Sequence, residues 1–305
     1  MQETLSNEAS STTGACNCTG IRFCAKCRNT QRVQSLFSGA VPLSTAQAVI
    51  DKQSKEERLS SCSFATLGRS KYSCCPMCME VFVSEVPLTM CAEHIELQSS
   101  SLRIDGLFVF ENILTQEEET KLIEFLDNPS PFPPWKDSQS GRRKQDYGPR
   151  RNFKKKKVKA AEMPMMPLAF KPVFSAISAA VEKCTGVPYN VAEVSALEYC
   201  EGNLSNFDPH VDDTWLWGDR IAGLNLNANC AMTFVNPEGD SCDVFFPQRS
   251  FFLMSGDCRY KWMHGIRPVH VHERRISLTF RELSQEILSD KITADMVLTA
   301  ASTFV

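Results

Sequence analysis

The chain has 305 residues, 43% hydrophobic and 23% charged, with a formal net charge of −3, which is enough apolar material for one large folded domain plus an extension. No apolar run approaches the roughly 20 residues that span a bilayer, and the opening MQETLSNEASSTTG lacks the basic start and apolar core of a secretory signal. A cytoplasmic and nuclear location with no membrane attachment is expected, and in that reducing setting 14 cysteines point to metal binding or buried thiols rather than disulfides.

Cys16-x-Cys18 and Cys24-x2-Cys27 fall within twelve residues, and thiolates that close can meet at one tetrahedral zinc without a hydrophobic core. Residues 1–35 read as a cysteine-rich zinc knuckle, with a flexible cysteine-rich tail as the alternative. Residues 36–60 are polar and read as a linker. Cys75-x2-Cys78 and Cys91-x2-His94 then match the ligand count and spacing of a Cys3His zinc site, so 61–98 reads as a second zinc module. Cys62 and Cys74 are spare thiols able to replace a ligand in either cluster, and unrelated free cysteines are the alternative to the module. Four protein ligands would close each coordination shell, making these zincs structural.

Around Leu102 to Phe110 the pattern turns β-rich, and Thr115-Gln-Glu-Glu118 supplies a capping box that predicts a helix start. Leu122, Ile123 and Leu126 give that helix an apolar stripe, and Asn128-Pro129 ends it. A second helix is predicted from Pro172 in its first turn and from Val173, Ile177, Val181 and Cys184 at helical spacing. Both stripes read as faces packed on a sheet. Between the helices lies a basic segment, 138–160, with Tyr147 and Phe153 interleaved; Arg142 to Lys159 carry a local +9, against −12 for the rest of the chain. Such a segment can neutralise phosphates or clasp an acidic protein surface, and Arg142, Arg143 and Tyr147 are its candidate substrate contacts. The alternative for Lys154 to Lys157 is a solvated lysine run or a nuclear localisation signal. Gly141 to Arg151 reads as a structured loop.

From Glu193 onward short β-like runs follow one another: EVSALEY, GLNLN, CAMTFV, CDVFF, SFFLM, RYKWM and RISLTFR. Frequent turns between them indicate an antiparallel sandwich or barrel. The fold class is therefore α+β, mainly β, with a jelly-roll core, two supporting helices on one outer face and a cysteine-rich N-terminal region. In an extended strand, His210 and Asp212 point to one face, and a His, His and carboxylate set leaves open positions for cosubstrate and oxygen, as in non-haem Fe(II) oxygenases. Of five histidines, His264 is the best third ligand; His270 and His272, read as surface residues, are the alternatives. In the last run Arg275, Ser277, Thr279 and Arg281 face one side and Ile276, Leu278 and Phe280 the other. Two arginines on a barrel-lining face point to a bound dicarboxylate; surface arginines on an edge strand are the alternative.

His210-x-Asp212, a distal His264 and Arg275-x5-Arg281 resemble the motif set of the AlkB-type dioxygenases. The likeness extends through SQSGRRKQDYGPRRNF, PHVDDTWLWGDR and SLTFREL to an animal branch of that family, from about Gly106 to about Leu283. That branch also opens with Cys-x-Cys and Cys-x2-Cys, whereas the Cys75 to His94 cluster is outside the family pattern. The resemblance implies a double-stranded β-helix domain over 99–288, with 138–160 as its substrate-binding segment and 289–305 as a tail. It implies Fe(II), 2-oxoglutarate and O2, with iron on His210, Asp212 and His264. Arg275 would pair with the distal carboxylate of 2-oxoglutarate, Arg281 would bind near its other carboxylate, Tyr199 would hydrogen-bond it, and Ser277 would line the same face. Asp213 and Trp215, just after the ligand carboxylate, would meet the substrate. The implied reaction hydroxylates an N-methyl group, which leaves as formaldehyde while 2-oxoglutarate becomes succinate. The branch is associated with methyl-lysine in proteins, actin in particular, and with 6-methyladenine in DNA. Nucleic-acid-acting members commonly carry Asn and Asp where this chain has Leu197 and Thr214, which tilts the reading toward protein. A catalytically silent zinc-containing adaptor that kept the fold is the alternative from another class; oligomeric state is not set by the sequence.

Overall fold

In the computed structural model the described residues are 16–37, 62–65, 67–161, 163 and 165–305; the expectations for the opening stretch and for most of the 36–60 linker lie outside them. In chain order the elements begin with α1 (Gln31–Phe37), β1 (Tyr72–Cys74), β2 (Val81–Val83), β3 (Leu107–Phe110) and α2 (Gln116–Asp127). The basic segment forms β4 (Lys136–Asp137), β5 (Arg143–Tyr147), β6 (Arg150–Asn152) and β7 (Lys157–Lys159), followed by α3 (Lys171–Thr185). The second half holds β8 (Glu193–Tyr199), β9 (Phe207–His210), β10 (Trp217–Leu226), β11 (Cys230–Val235), β12 (Ser241–Phe246) and β13 (Phe251–Met254). It ends with α4 (Gly256–Tyr260), β14 (Met263–Ile266), β15 (Arg275–Leu283), α5 (Gln285–Ser289) and α6 (Lys291–Ser302).

Among the described residues the strands make two facing sheets, the expected double-stranded β-helix. The major sheet runs β3-β13-β10-β15-β8-β5-β4 and the minor sheet β2-β1-β12-β11-β14-β9, while β6 and β7 form a separate ribbon. Between the sheets sits an apolar core that includes Trp217, Ile221, Phe234, Phe246 and Phe252. A second core lies outside the major sheet, where Leu122 and Leu126 of α2 and Val173, Ile177 and Val181 of α3 meet Ile276, Leu278 and Phe280 of β15. Each such side chain removed from water contributes about 1.5–3 kcal/mol, so both helices belong where their stripes place them. The capping box at the start of α2 is present: the Thr115 hydroxyl accepts from the Glu118 amide and the Glu118 carboxylate accepts from the Thr115 amide.

Three expectations are corrected. RYKWM is not a strand: its first two residues end helix α4, because Ser255 is extended ahead of the first turn and Asp257 pairs with Lys261 at 2.7 Å. Residues 61–98 are not a separate module, since β1 pairs parallel with β12, β2 pairs antiparallel with β1, and Cys74 and Val81 enter the core between the sheets. Residues 289–305 are not a tail; α6 buries Ala294, Val297 and Ala301, and Phe304 bridges to Met166.

Glu119 is the polar fastening of α2 to the sheet. Only 2% exposed, its carboxylate accepts from the Asn227 amide at 2.7 Å, Gln248 Nε2 at 2.8 Å and Arg249 Nη1 at 3.2 Å. Asn227 and Arg249 are both in the left-handed region, at φ 70° and 62°, so their turns depend on outside support. Glu119→Ala strands those donors and should lower the unfolding free energy by about 2–4 kcal/mol. Urea denaturation checks this, and a change below about 0.5 kcal/mol would show that α2 is held by its apolar stripe alone.

Candidate active site

Antiparallel pairing of β9 with β14 puts His210 directly across from His264, with ring centroids 4.5 Å apart. Gly265 permits that approach, because a Cβ there would lie 2.4 Å from the Phe207 carbonyl oxygen. His210 Nδ1 donates to the Asp208 carbonyl at 2.9 Å, which fixes the tautomer and leaves Nε2 as the lone-pair nitrogen. Burial pushes His264 down to about 3 and lowers His210 as well, so both imidazoles are held neutral, the form that could ligate a metal.

Asp212 follows β9 and its carboxylate Oδ1 pairs with Arg281 of β15 at 3.1 Å, while Oδ2 is buried without a hydrogen-bond partner among the described residues. Burial alone would raise this carboxyl, but the Arg281 guanidinium outweighs it and holds Asp212 ionised well below the usual carboxylate range. The charge network continues from Arg281 to Glu193 (2.8 Å), from Glu193 to Arg151 (2.8 Å) and from Arg151 to Asp146 (3.1 Å). Among the described residues the sets whose ligand atoms all lie within 4.8 Å of one another are the two cysteine clusters. The histidines and Asp212 form a looser set, with the carboxylate turned toward Arg281.

At the far end of β15, Arg275 is 1% exposed. Its Nε donates to Asn225 Oδ1 at 2.7 Å and its guanidinium lies 4.9 Å from the centre of the Tyr199 ring, its cross-strand partner. Nη1 and Nη2 have no partner among the described residues. A buried guanidinium with both terminal nitrogens unmatched is costly, and a carboxylate fits it. Ser277 and Thr279 continue the same face toward Arg281, and Leu197 sits opposite Ser277 on β8.

The expected substrate residues divide. Arg143 and Tyr147 point the other way: Arg143 pairs with Glu198 on the helix-covered face, and Tyr147 packs on Phe170 with its hydroxyl donating to Gln145. Lys144 and Asp146, joined at 2.8 Å, take the face that Ser195 shares. Arg142 is buried beside the site. The Asp213 carboxylate accepts from the Leu216 amide, and the half-buried Trp215 packs on the core with its carbonyl accepting from Ser284. Trp217 is the ring beside the Arg281 network, with Arg151 and Arg281 each 5.8 Å from its centre. His272 is exposed as expected, but His270 is not a surface residue: it is buried, donating to the Ala231 carbonyl and facing Asp243 at 3.5 Å.

Both cysteine clusters have the dimensions of zinc sites. A tetrahedron with Zn–S of about 2.3 Å and Zn–N of about 2.0 Å has S···S edges of about 3.8 Å and S···N edges of about 3.5 Å. Cys24 and Cys27 sulfurs are 3.9 Å apart, Cys75 and Cys91 3.9 Å, and Cys78 Sγ is 3.5 Å from His94 Nε2. Cys62 and Cys74 belong to neither set: the Cys74 thiol donates into the core, to the Cys75 carbonyl.

Arg259 and Asn225 were not legible as site residues. Arg259, 2% exposed, donates to the carbonyls of Asp212 (2.9 Å), Asp213 (3.0 Å), Gly218 (3.2 Å) and Trp217 (3.4 Å), and so fixes the loop that carries Asp212. The Asn225 amide donates to the carbonyls of Ala228, Phe246 and Pro247. Their only sequence signal is a polar residue inside an apolar run.

The sequence profile described as the 2OG-Fe(II) oxygenase superfamily matches residues 106–281. A Caenorhabditis elegans protein named DNA N6-methyl adenine demethylase is 34% identical over 294 residues, covering 93% of each chain. Human alpha-ketoglutarate-dependent dioxygenase alkB homolog 4 is 31% identical over 242 residues, covering 68% of this chain and 76% of that one. Its mouse counterpart is 32% identical over 233 residues.

Replacing Arg259 with Leu should strand those carbonyls, cost about 2–4 kcal/mol and raise amide hydrogen exchange across 211–218. Unchanged exchange there would mean that the Asp212 loop holds its shape without the guanidinium.

Proposed function

The chain belongs to the 2OG-Fe(II) oxygenase superfamily and is a 2-oxoglutarate-dependent dioxygenase, and from that premise we propose that it removes N-methyl groups by oxidation, with 6-methyladenine in DNA as substrate. The observation that carries the reading is Arg275, a buried guanidinium with two unmatched nitrogens, on one strand face with an arginine that already touches Asp212. Arg275 would take the distal carboxylate of 2-oxoglutarate beside Tyr199 and Ser277, and Arg281 would steady the inner end. Fe(II) would be held by His210, Asp212 and His264, for which neutral imidazoles and the unpartnered Asp212 Oδ2 are suited. Bound iron and 2-oxoglutarate supply the oxidation from O2, giving succinate and carbon dioxide, and the hydroxylated N-methyl group leaves as formaldehyde.

The substrate assignment draws on the C. elegans relative, similar along 93% of the chain, and on the β6–β7 ribbon. Lys154 to Lys157 are exposed and, with Lys159, enter no ion pair among the described residues, which suits phosphates. A second reading, methyl-lysine in a protein such as actin, is favoured by the apolar Leu197 and the exposed Thr214 where base-contacting members commonly carry polar groups. Structural zinc in the cysteine clusters belongs to either reading.

Formaldehyde and succinate release against methyladenine oligonucleotides and methyl-lysine peptides separates the two. Wild type should demethylate the oligonucleotide with a steep loss at higher salt; turnover of the peptide alone would transfer the assignment to protein. His210→Ala and Asp212→Ala should abolish release with either. Arg275→Met should raise the KM for 2-oxoglutarate roughly 10- to 150-fold, the loss of charge-assisted hydrogen bonds worth about 1.5–3 kcal/mol. An unchanged KM would remove Arg275 from the cosubstrate site.

A further inference from the structure

The Cys16, Cys18, Cys24 and Cys27 cluster is built against the wall of the active site. The backbone amide of Ser140 donates to Cys18 Sγ at 3.2 Å, across 122 positions of sequence. Within the knuckle, the Cys24 amide and Arg32 Nη2 donate to Cys27 Sγ at 3.3 and 3.4 Å. Amide and guanidinium donors to sulfur are the outer hydrogen bonds that orient thiolate ligands of a metal.

The same knuckle grips the loop that leads into β9. The Ala25 amide donates to the Asn203 carbonyl at 3.0 Å, and the Asn206 side chain donates to the Phe23 carbonyl at 3.1 Å. The two gripped segments are also joined to each other: Asn206 donates to the Ser140 carbonyl at 3.1 Å, and the Ser205 hydroxyl donates to the Gly141 carbonyl at 2.7 Å. Ser140 and Gly141 are both left-handed, at φ 57° and 71°, and a Cβ on Gly141 would lie 2.4 Å from the Asn203 carbonyl oxygen. This turn is strained and tightly enclosed, so it keeps its shape only while its neighbours hold it.

Arg142 comes next in the chain. It is 6% exposed, and among the described residues it forms no ion pair. Its guanidinium lies 3.7 Å from the centre of the Phe207 ring, and Phe207 stacks on His210 at 3.9 Å with an interplanar angle of 21°. Burial lowers the Arg142 guanidinium from its ordinary pKa, and the Tyr199 phenol beside it acts in the opposite direction. Arg142 thus touches the support of one proposed iron ligand and the residue proposed to bond 2-oxoglutarate.

We propose that Cys16, Cys18, Cys24 and Cys27 form a Zn2+ site whose task is to hold the Ser140–Gly141 turn, and through it Arg142, against His210 and Tyr199. Arg142 is then a positioning residue of the dioxygenase centre rather than a substrate contact, and the knuckle is part of the catalytic unit. The proposal rests on the reading of His210 and Tyr199 given above.

The full-length chain tests it through four comparisons: wild type, Cys24→Ser/Cys27→Ser, Cys75→Ser/Cys78→Ser, and Arg142→Ala with Arg142→Lys beside it. Zinc content, amide exchange, and the apparent affinities for Fe(II) and 2-oxoglutarate are measured for each. Cys24→Ser/Cys27→Ser should lose one equivalent of zinc, raise exchange in 139–142 and 200–207, and weaken Fe(II) and 2-oxoglutarate binding about 10- to 100-fold, the usual effect of removing outer-shell support. Cys75→Ser/Cys78→Ser should lose its zinc without the exchange change at those two segments. Arg142→Ala keeps both zincs and should reproduce the affinity loss, mainly in KM rather than kcat, with partial recovery in Arg142→Lys; this arm stands even if the cysteine variants fail to fold. Zinc lost from Cys24→Ser/Cys27→Ser with exchange and affinities unchanged overturns the proposal, as does wild type without zinc at these cysteines, or Arg142→Ala with wild-type affinities. If wild type binds no Fe(II) or 2-oxoglutarate, the dioxygenase-site reading fails separately, and the exchange comparison still decides whether the knuckle holds the turn.

Discussion

The arrangement of the site depends on one buried guanidinium that bridges two sheets. Arg281 belongs to the major sheet, where Glu193 is its cross-strand partner, and it reaches across to Asp212 behind the last strand of the minor sheet. The two sheets meet mainly through apolar side chains, which fix spacing but tolerate sliding. A charge held between two carboxylates does not, since each pair at about 4 Å is worth on the order of 4 kcal/mol before desolvation at an effective dielectric of 20, and removing one partner leaves a buried charge. The same network sets where the cations of the β6–β7 ribbon stand. Glu193 also holds Arg151 of β6, so the ribbon that presents Lys154 to Lys157 hangs from the charges that orient Asp212.

Strand β15 states much of this fold by itself, and it was legible because its alternation is strict. Ile276, Leu278 and Phe280 go to the helix layer and Arg275, Ser277, Thr279 and Arg281 to the inside; no register of a two-sided strand satisfies that sequence otherwise. The α2 capping box and the α3 stripe were legible for the same reason, since local chemistry and burial agree. CAMTFV and EVSALEY fall on β11 and β8 with the same limits because both are bounded by turn residues.

What failed to read out was set by distant partners. Arg143 and Tyr147 are as basic and aromatic as a substrate contact should be, but composition does not reveal parity, and pairing of β5 with β8 sends them to the outer face. Five residues of α4 are too few to show a helical period, so Arg259 looked like part of a strand. His270 resembled a surface histidine beside a turn, yet its nitrogens are taken by the Ala231 carbonyl and by Asp243 from β12. No local pattern signals a polar cluster assembled from four separate segments.

That polar cluster explains why the cysteine-rich region cannot be counted as an appendage. On the outer face of the minor sheet, Asp243 accepts from Thr233 at 2.6 Å and from Ser70 at 2.7 Å, and Arg267 donates to Thr233 at 3.0 Å. Nearby, Asp208, two residues before His210, accepts from the Ser63 hydroxyl and the Phe64 amide, each at 2.9 Å. Ser63, Phe64 and Ser70 therefore complete buried acids of the catalytic sheets, and β1 covers the edge of β12 that would otherwise expose a row of unpaired backbone groups. A boundary at residue 99, natural from composition, would uncover that edge and leave Asp243 and Asp208 without these donors. Ser63 and Phe64 bond to β9, which carries His210, the knuckle bonds to the loop leading into β9, and Ser70 and β1 bond to β12 of the same sheet, so the cysteine-rich region and the oxygenase core share one network of polar contacts.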